Sequence, residues 1–290
     1  MTINQIQKTE NKPVVALLLK MLNIPKSSTT GFQKNVILYI CTTMTKFAHD
    51  NIVPSKDSSL SKKEQVANMF DSIAGRYDFL NRFLSGGIDV WWRKKAIGQL
   101  KKLNPKKILD VATGTADVAI MSTGILHPEK ITGIDISDGM LDIGRKKIKK
   151  RGLEKTIELL NGDSETIKFN DNSFDAVTVA FGVRNFEHLE KGLNEIKRVL
   201  RPGGKLVVLE FSKPKTAGIT QLYNVYMKLV APNVGKLFSN NGNAYKYLDE
   251  SIKKFPEGKN FTLILDNLGY TNTYCKPLSL GICSIYCGEK

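Results

Sequence analysis

A chain of 290 residues that is 41% hydrophobic and 24% charged can bury one large α/β core or two small ones, which excludes both a stapled miniature and a disordered tail. A net charge of +15 suits an anionic partner, nucleic acid or an anionic membrane surface, without choosing between them. Four cysteines with no CxxC spacing and three isolated histidines (His49, His127, His188) point to reduced cytosolic thiols, not to a zinc site or a disulfide framework.

In chain order, residues 1–60 read as an N-terminal extension and linker without fixed structure. Residues 1–43 carry five lysines and one glutamate, and Met44 reads as the natural start of the protein. The apolar stretch from Val14 to Leu22 is too short to span a bilayer and no small-residue cleavage site follows it. Residues 61–290 read as a single domain. Ser61 and Glu64 form a capping box for a helix whose Val66, Met69, Phe70, Ile73 and Tyr77 share a face. A break at Gly75-Arg-Tyr-Asp78 separates it from a segment carrying Leu80, Phe83 and Leu84, and Trp91-Trp92 open a further helix. These helices, within residues 61–103, are expected to roof a crevice.

From there strands and helices alternate, as a parallel sheet requires. Strands are expected at Lys107–Val111, Lys130–Ile136, Ile157–Asn161, Phe174–Phe181 and Lys205–Phe211, and helices at Asp138–Lys150 and Glu187–Leu200. A helical insertion at 219–255 precedes a helix at Asn260–Leu268. The close is an antiparallel hairpin of strands Thr271–Pro277 and Gly281–Cys287.

The first strand runs into the turn Ala112-Thr-Gly-Thr-Ala-Asp117, and the second ends on Asp135. Together they build a nucleoside pocket in an open α/β sheet. A dinucleotide site wants G-x-G-x-x-G so that amides can approach a pyrophosphate. Here the turn has one glycine, Gly114, and an aspartate where the phosphate would lie. It suits a phosphate-free nucleoside with a positive centre, and S-adenosylmethionine is the common ligand of that description. Asp135 is placed to bind ribose, and the buried Asp110 to lie near the ligand's ammonium group.

Longer strings carry a resemblance. Glu64-Gln-Val-Ala-Asn-Met-Phe-Asp-Ser-Ile-Ala-Gly-Arg-Tyr-Asp78, Phe181-Gly-Val-Arg-Asn-Phe186 and Arg201-Pro-Gly-Gly-Lys-Leu-Val-Val-Leu-Glu-Phe-Ser-Lys-Pro214 resemble the ubiquinone/menaquinone biosynthesis C-methyltransferases. The likeness continues through Tyr245-Lys-Tyr-Leu-Asp-Glu-Ser-Ile252 to the C-terminus. It implies a class I S-adenosylmethionine-dependent methyltransferase, a Rossmann-like α/β fold with a mostly parallel seven-stranded sheet and a C-terminal antiparallel hairpin. It also implies methyl transfer to a ring carbon of a polyprenylated quinol, with demethylmenaquinol the usual bacterial acceptor. Thr115 matches the family's turn threonine, Asp135 its ribose-binding acid, and Asp163-Ser164 a pair near the adenine. Thr113 and Ala116 stand where the family turn often has glycines, and Ala116 would strain a backbone with φ above zero.

Methylating a ring carbon needs electron density there, which a quinol provides once a neighbouring hydroxyl ionises. Phenolic hydroxyls have a pKa of about 10, and each unit of depression removes about 1.4 kcal/mol from that step at neutral pH. Arg184, just past the fourth strand, is the expected cation beside the oxygen, with Asn185 orienting the hydroxyl or a water and Tyr77, with Asp78, completing a proton path. His188 is a further candidate base, weighed against a solvated helix histidine. No metal is required. The acceptor's prenyl chain calls for a membrane surface, which Trp91-Trp92 with Arg93-Lys94-Lys95, and the apolar segment Leu222–Val230, could meet. The expected location is cytoplasmic and peripheral at the inner face of the cell membrane. An RNA methyltransferase would explain the charge equally well but wants aromatics interleaved with the basic run Arg145–Arg151, which has none, so no nucleic acid partner is expected. A nicotinamide-dependent oxidoreductase is disfavoured by the missing glycines, and a non-catalytic binding protein is the remaining alternative.

Overall fold

The Ser61 side chain accepts from the Glu64 backbone N–H while the Glu64 carboxylate accepts from the Ser61 N–H, a reciprocal cap that starts helix α1 (Lys62–Leu84). The structure, a computed structural model, describes residues 47–214, 218, 221 and 242–290, with the side chains of 242–246 excepted. The expectations for residues 1–43 and Met44, for most of the 219–255 insertion and for Leu222–Val230 therefore lie outside the described residues. Contrary to the expected break at Gly75, α1 runs unbroken for 23 residues. The Ser85-Gly86-Gly87 turn, with φ of 57° and 80° at its glycines, leads into α2 (Ile88–Ile97).

The parallel part of the sheet follows as β1 (Lys107–Val111), α3 (Asp117–Leu126), β2 (Lys130–Asp135), α4 (Asp138–Lys150), β3 (Ile157–Asn161), β4 (Phe174–Ala180), α5 (Leu189–Val199) and β5 (Leu200–Phe211). After α6 (Gly242–Lys254) and α7 (Lys259–Asn267), the chain closes with β6 (Thr271–Leu278) and β7 (Cys283–Glu289). The seven strands lie in the order β3-β2-β1-β4-β5-β7-β6. The first five are parallel, and β7 runs antiparallel to both β5 and β6. The strand order reverses between β1 and β4, and such a reversal opens a crevice at the carboxyl ends of the strands.

Side-chain alternation along the strands feeds two cores. On β5, Val207 and Leu209 face the core covered by α2 and α3, whereas Leu206 and Val208 face the one covered by α5 and α7. Several boundaries differ from the sequence reading by one to five residues, and two of the shifts have a visible cause. Strand β5 begins at Leu200: Leu200 pairs with Phe174 and Lys205 with Ala176, so residues 201–204 bulge out opposite Asp175, which accepts from Arg201 at 2.5 Å. Helix α5 starts two residues later than expected, because the Glu187 carboxylate accepts from the Lys62 N–H and the His188 N–H is donated to Glu165. Cys275, Cys283 and Cys287 are free thiols on the closing strands. Among the described residues, no helix is long and apolar enough to cross a membrane.

Candidate functional site

The carboxyl ends of β1, β2, β3 and β4, roofed by α1, enclose a cleft of about 650 Å³ that merges with solvent. Of the residues expected to bind cofactor or act in catalysis, Gly114, Asp135, Asp163, Ser164, Tyr77 and Asn185 line it. Asp110, Thr115 and Arg184 do not.

On the cofactor side, Asp135 ends β2 with its carboxylate held by two amides. Oδ2 accepts from Gly114 N at 2.8 Å and Oδ1 from Ser137 N at 2.9 Å. Each oxygen keeps a lone pair, enough to accept from two vicinal hydroxyls. Burial raises the Asp135 carboxyl above its ordinary range, against the lowering effect of those amides. Gly114 has φ of 56°, and a Cβ built on it would meet nothing within 4 Å, so the turn leaves open space beside the carboxylate. Asp163 and Ser164 follow β3. The Asp163 Oδ2 pairs with Lys63 Nζ at 2.6 Å and Oδ1 accepts from Glu165 N at 2.9 Å. Asp135, Asp163, Glu165 and Glu187 outnumber the single lysine, Lys63, on the lining. That balance fits a cationic nucleoside and repels phosphate, so the residues present suit S-adenosylmethionine.

The other turn residues hold the turn. Asp110 is buried, accepting from Thr113 Oγ1 at 2.6 Å and Thr178 Oγ1 at 2.5 Å, and burial above all pushes its carboxyl up to about 6. It is therefore sealed off from the cleft by two hydroxyls instead of opening onto a ligand ammonium. Thr113 fits against β2 because Gly133 leaves room: a Cβ there would come within 2.9 Å of the Thr113 side chain. Thr115, expected to touch cofactor, donates to Asp78 Oδ1 at 2.6 Å and accepts from Lys147 Nζ at 3.0 Å. Asp78 is thereby committed to tying α1 to the turn and is not free to extend a proton path from Tyr77. Ala112 and Ala116 both take positive φ, 53° and 64°.

On the acceptor side, the end of β4 turns sharply through Phe181 (φ 59°) and a single 3-10 turn, Val183–Asn185. Gly182 is required there, since a Cβ would sit 2.4 Å from that of Ala112. Arg184 points away from the cleft. Its Nη1 donates to Phe181 O at 2.5 Å and to Glu210 Oε1 at 2.7 Å, and both partners of this ion pair are buried. Instead of standing as a free cation beside the acceptor, it braces the turn from behind. Asn185 does reach the cleft, and its Oδ1 accepts from Tyr247 Oη on α6 at 3.1 Å. Tyr77 on α1 lines the same cleft, and burial raises its hydroxyl pKa against a hydrogen bond with Asn81, so at neutral pH it stays protonated. His188 is turned to the buried Glu165, Nδ1 to Oε2 at 3.0 Å, and does not line the cleft.

Lys63, Phe70, Met140 and Phe186 also line the cleft and escaped the sequence reading. For Lys63 a signal existed, a second lysine inside a capping box, but its partner Asp163 is a hundred residues away.

Comparison with known proteins bears on the family and the fold. Residues 58–290 match the model of the family described as the ubiE/COQ5 methyltransferase family. The chain is similar to a demethylmenaquinone methyltransferase of Bacteroides fragilis, 48% identical over 229 residues that cover 79% of this chain and 94% of the other. A ubiquinone/menaquinone biosynthesis C-methyltransferase UbiE of Geotalea daltonii is 44% identical over 230 residues, covering 79% and 97%. Among solved structures, a SAM-dependent methyltransferase of Thermotoga maritima superposes with a TM-score of 0.53 at 17% identity, covering 77% of this chain and 99% of that one, a likeness of fold.

Proposed function

The chain belongs to the ubiE/COQ5 methyltransferase family, and we propose that it transfers a methyl group from S-adenosylmethionine to a ring carbon of a polyprenylated quinol, converting demethylmenaquinol to menaquinol. The reading is carried by one observation: the Gly114–Asp135 pair, Asn185 and Tyr77 line a single space. Bound there, S-adenosylmethionine supplies an electrophilic methyl group on a cationic sulfur. Asp135 would hold the ribose hydroxyls, Gly114 the close backbone approach, and Asp163 and Ser164 the adenine end. Phe70, Phe181 and Phe186 would screen the reacting groups from water.

At the acceptor, Tyr77 and Asn185 offer hydrogen-bond donors, and the carboxylates Glu165 and Glu187 line the same cleft. Tyr77 and Asn185 would stabilise negative charge on the quinol oxygen and so raise electron density at the neighbouring carbon. The hydroxyl proton would leave to solvent through the open cleft, and after methyl transfer the displaced ring proton would return to that oxygen as the ring regains aromaticity, one proton being released in all. Arg184, neutralised by Glu210, keeps the turn that carries Asn185 rigid. Residues 61–290 are the catalytic domain in this reading, and Lys62 clamps the preceding turn to it by donating to His49 O and Phe186 O, both at 2.9 Å. In this reading the enzyme works as a peripheral protein at an anionic membrane surface on the cytoplasmic side, which the substrate's prenyl chain and the net charge of +15 support.

Transfer of label from methyl-labelled S-adenosylmethionine to a demethylmenaquinone analogue under reducing conditions tests the assignment, with RNA as the control acceptor. Label is expected in the quinol fraction alone. Label in RNA, or none in the quinol, would refute it.

A further inference from the structure

Asn185 lines the cleft just past the end of β4, and an amide can present either a carbonyl or an N–H. The two ends act oppositely: a carbonyl would repel a developing phenolate, whereas an N–H would stabilise it. Tyr247, 3% exposed on α6, donates its hydroxyl to Asn185 Oδ1 at 3.1 Å. The carbonyl end of the amide is thereby occupied. Asn185 Nδ2 makes no hydrogen bond to the described residues, and the residue is half-buried on the cleft wall.

We infer that Tyr247 is a positioning residue: by engaging Asn185 Oδ1 it fixes the amide with its N–H toward the cleft, where it meets the acceptor's hydroxyl oxygen. This rests on the proposed reading of the cleft as the quinol site. The charged groups facing Tyr247 are Arg184, beside Asn185, and Glu210 on β5. They are paired with each other. Burial pushes the Tyr247 hydroxyl pKa up, so it stays a donor throughout the working pH range. The link also makes α6, which lies far along the chain, part of the acceptor site. Its sequence Tyr245-Lys-Tyr-Leu-Asp carries family resemblance without any visible tie to chemistry.

A double-mutant cycle on the full-length enzyme tests this, using Tyr247→Phe, Asn185→Ala, their combination, and Asn185→Asp. Tyr247→Phe keeps the buried ring, and thermal melting checks that it folds. It is expected to lower kcat about tenfold with cofactor affinity by calorimetry unchanged. The acidic limb of its kcat–pH profile should move up by roughly half to one unit, because a loosely held amide stabilises the phenolate less. In the Asn185→Ala background the same change should cost nothing further. Asn185→Asp, which retains an acceptor for Tyr247 but has no N–H, should be as slow as Asn185→Ala. An equal proportional loss in both backgrounds, or an unmoved pH profile, would overturn the inference and leave Tyr247 a packing residue. If the native chain methylates no quinol at all, it is the functional reading that fails, and this inference with it.

Discussion

Asp110 sits 1% exposed between two threonine hydroxyls, and its carboxyl is pushed up to about 6 from an ordinary value of 3.8. Between those two values the folded chain binds more protons than the unfolded one, so stability falls as pH rises through the window. Above pH 6 the cost is complete, about 3 kcal/mol. Asp110→Asn should therefore melt several degrees higher than the native chain at pH 7.5, the gap closing near pH 4; a gap that does not vary with pH would contradict this. Two nearby positions separate backbone strain from access to the cleft. Ala116 at φ 64° stores about 1–2 kcal/mol, but its methyl is wholly buried and its replacement by glycine adds backbone entropy to the unfolded chain. Those terms nearly offset, and Ala116 does not line the cleft. Ala116→Gly is expected to leave stability within about 1 kcal/mol and cofactor affinity within about twofold. Gly114→Ala, at φ 56° on the cleft wall, adds strain and a methyl together. Calorimetry should show at least about a tenfold loss of S-adenosylmethionine affinity, because the methyl enters the open space beside Asp135, while the strain of about 1–2 kcal/mol lowers the melting temperature instead.

Among the elements, α1 shows most clearly what a sequence can and cannot convey. Its start was legible because capping is local: Ser61 and Glu64 lie three residues apart. Its continuity through Gly75 was not, because what outweighs a helical glycine's cost of about 1 kcal/mol lies elsewhere in the chain. Asp71 Oδ1 accepts from Ser137 Oγ at 2.6 Å and Gly139 N at 2.9 Å, Asp78 pairs with Lys147 at 3.0 Å, and Arg82 pairs with Asp117 at 3.1 Å. The same division runs through the site. β1, β3 and α4 read correctly to the residue from apolar pattern and caps; Gly114 and Asp135 fell on the cleft by the strand–turn pattern, and Asp163 by the family resemblance. Arg184 did not, since only the fold brings Glu210 against it. Asp71 carries a prediction of its own, for it caps α4 from the roof helix. Asp71→Ala should raise amide exchange across 62–84 and weaken cofactor binding about fivefold, in line with the ~1 kcal/mol of a lost cap. Asp71→Asn, which keeps the accepting oxygen, should restore part of both. Unchanged exchange in the alanine variant would show that the roof is held without it.

The molecule as a whole carries a net charge of +15, and its exposed aromatics are not spread evenly. Phe79 and Phe83 stack on α1 with ring centroids 5.9 Å apart, and past one short turn Ile88 and Trp91 stand out from α2, all four between 40% and 55% exposed. Lys94 and Lys95 are exposed beside them, with Lys95 Nζ 5.5 Å from the centre of the Trp91 ring. Trp92 and Arg93, grouped with Trp91 in the sequence reading, are buried in the core and cannot contribute. Apolar rings with a cationic rim fit an interface of anionic lipid, where rings enter the headgroup boundary and lysines stay in its field. Trp91 provides a built-in reporter, because the other tryptophan is already out of water. Anionic vesicles should blue-shift its emission, neutral vesicles should not, added salt should reverse the shift, and Trp91→Phe should abolish it. Replacing Phe79 and Phe83 together by serine should weaken vesicle binding about tenfold, each half-exposed ring contributing under about 1 kcal/mol. The same double change should slow methylation of a long-chain quinol in vesicles while sparing a short-chain, water-soluble analogue, since the cleft itself is untouched. Equal binding to neutral and anionic vesicles with an unmoved Trp91 spectrum would remove this face from the docking surface.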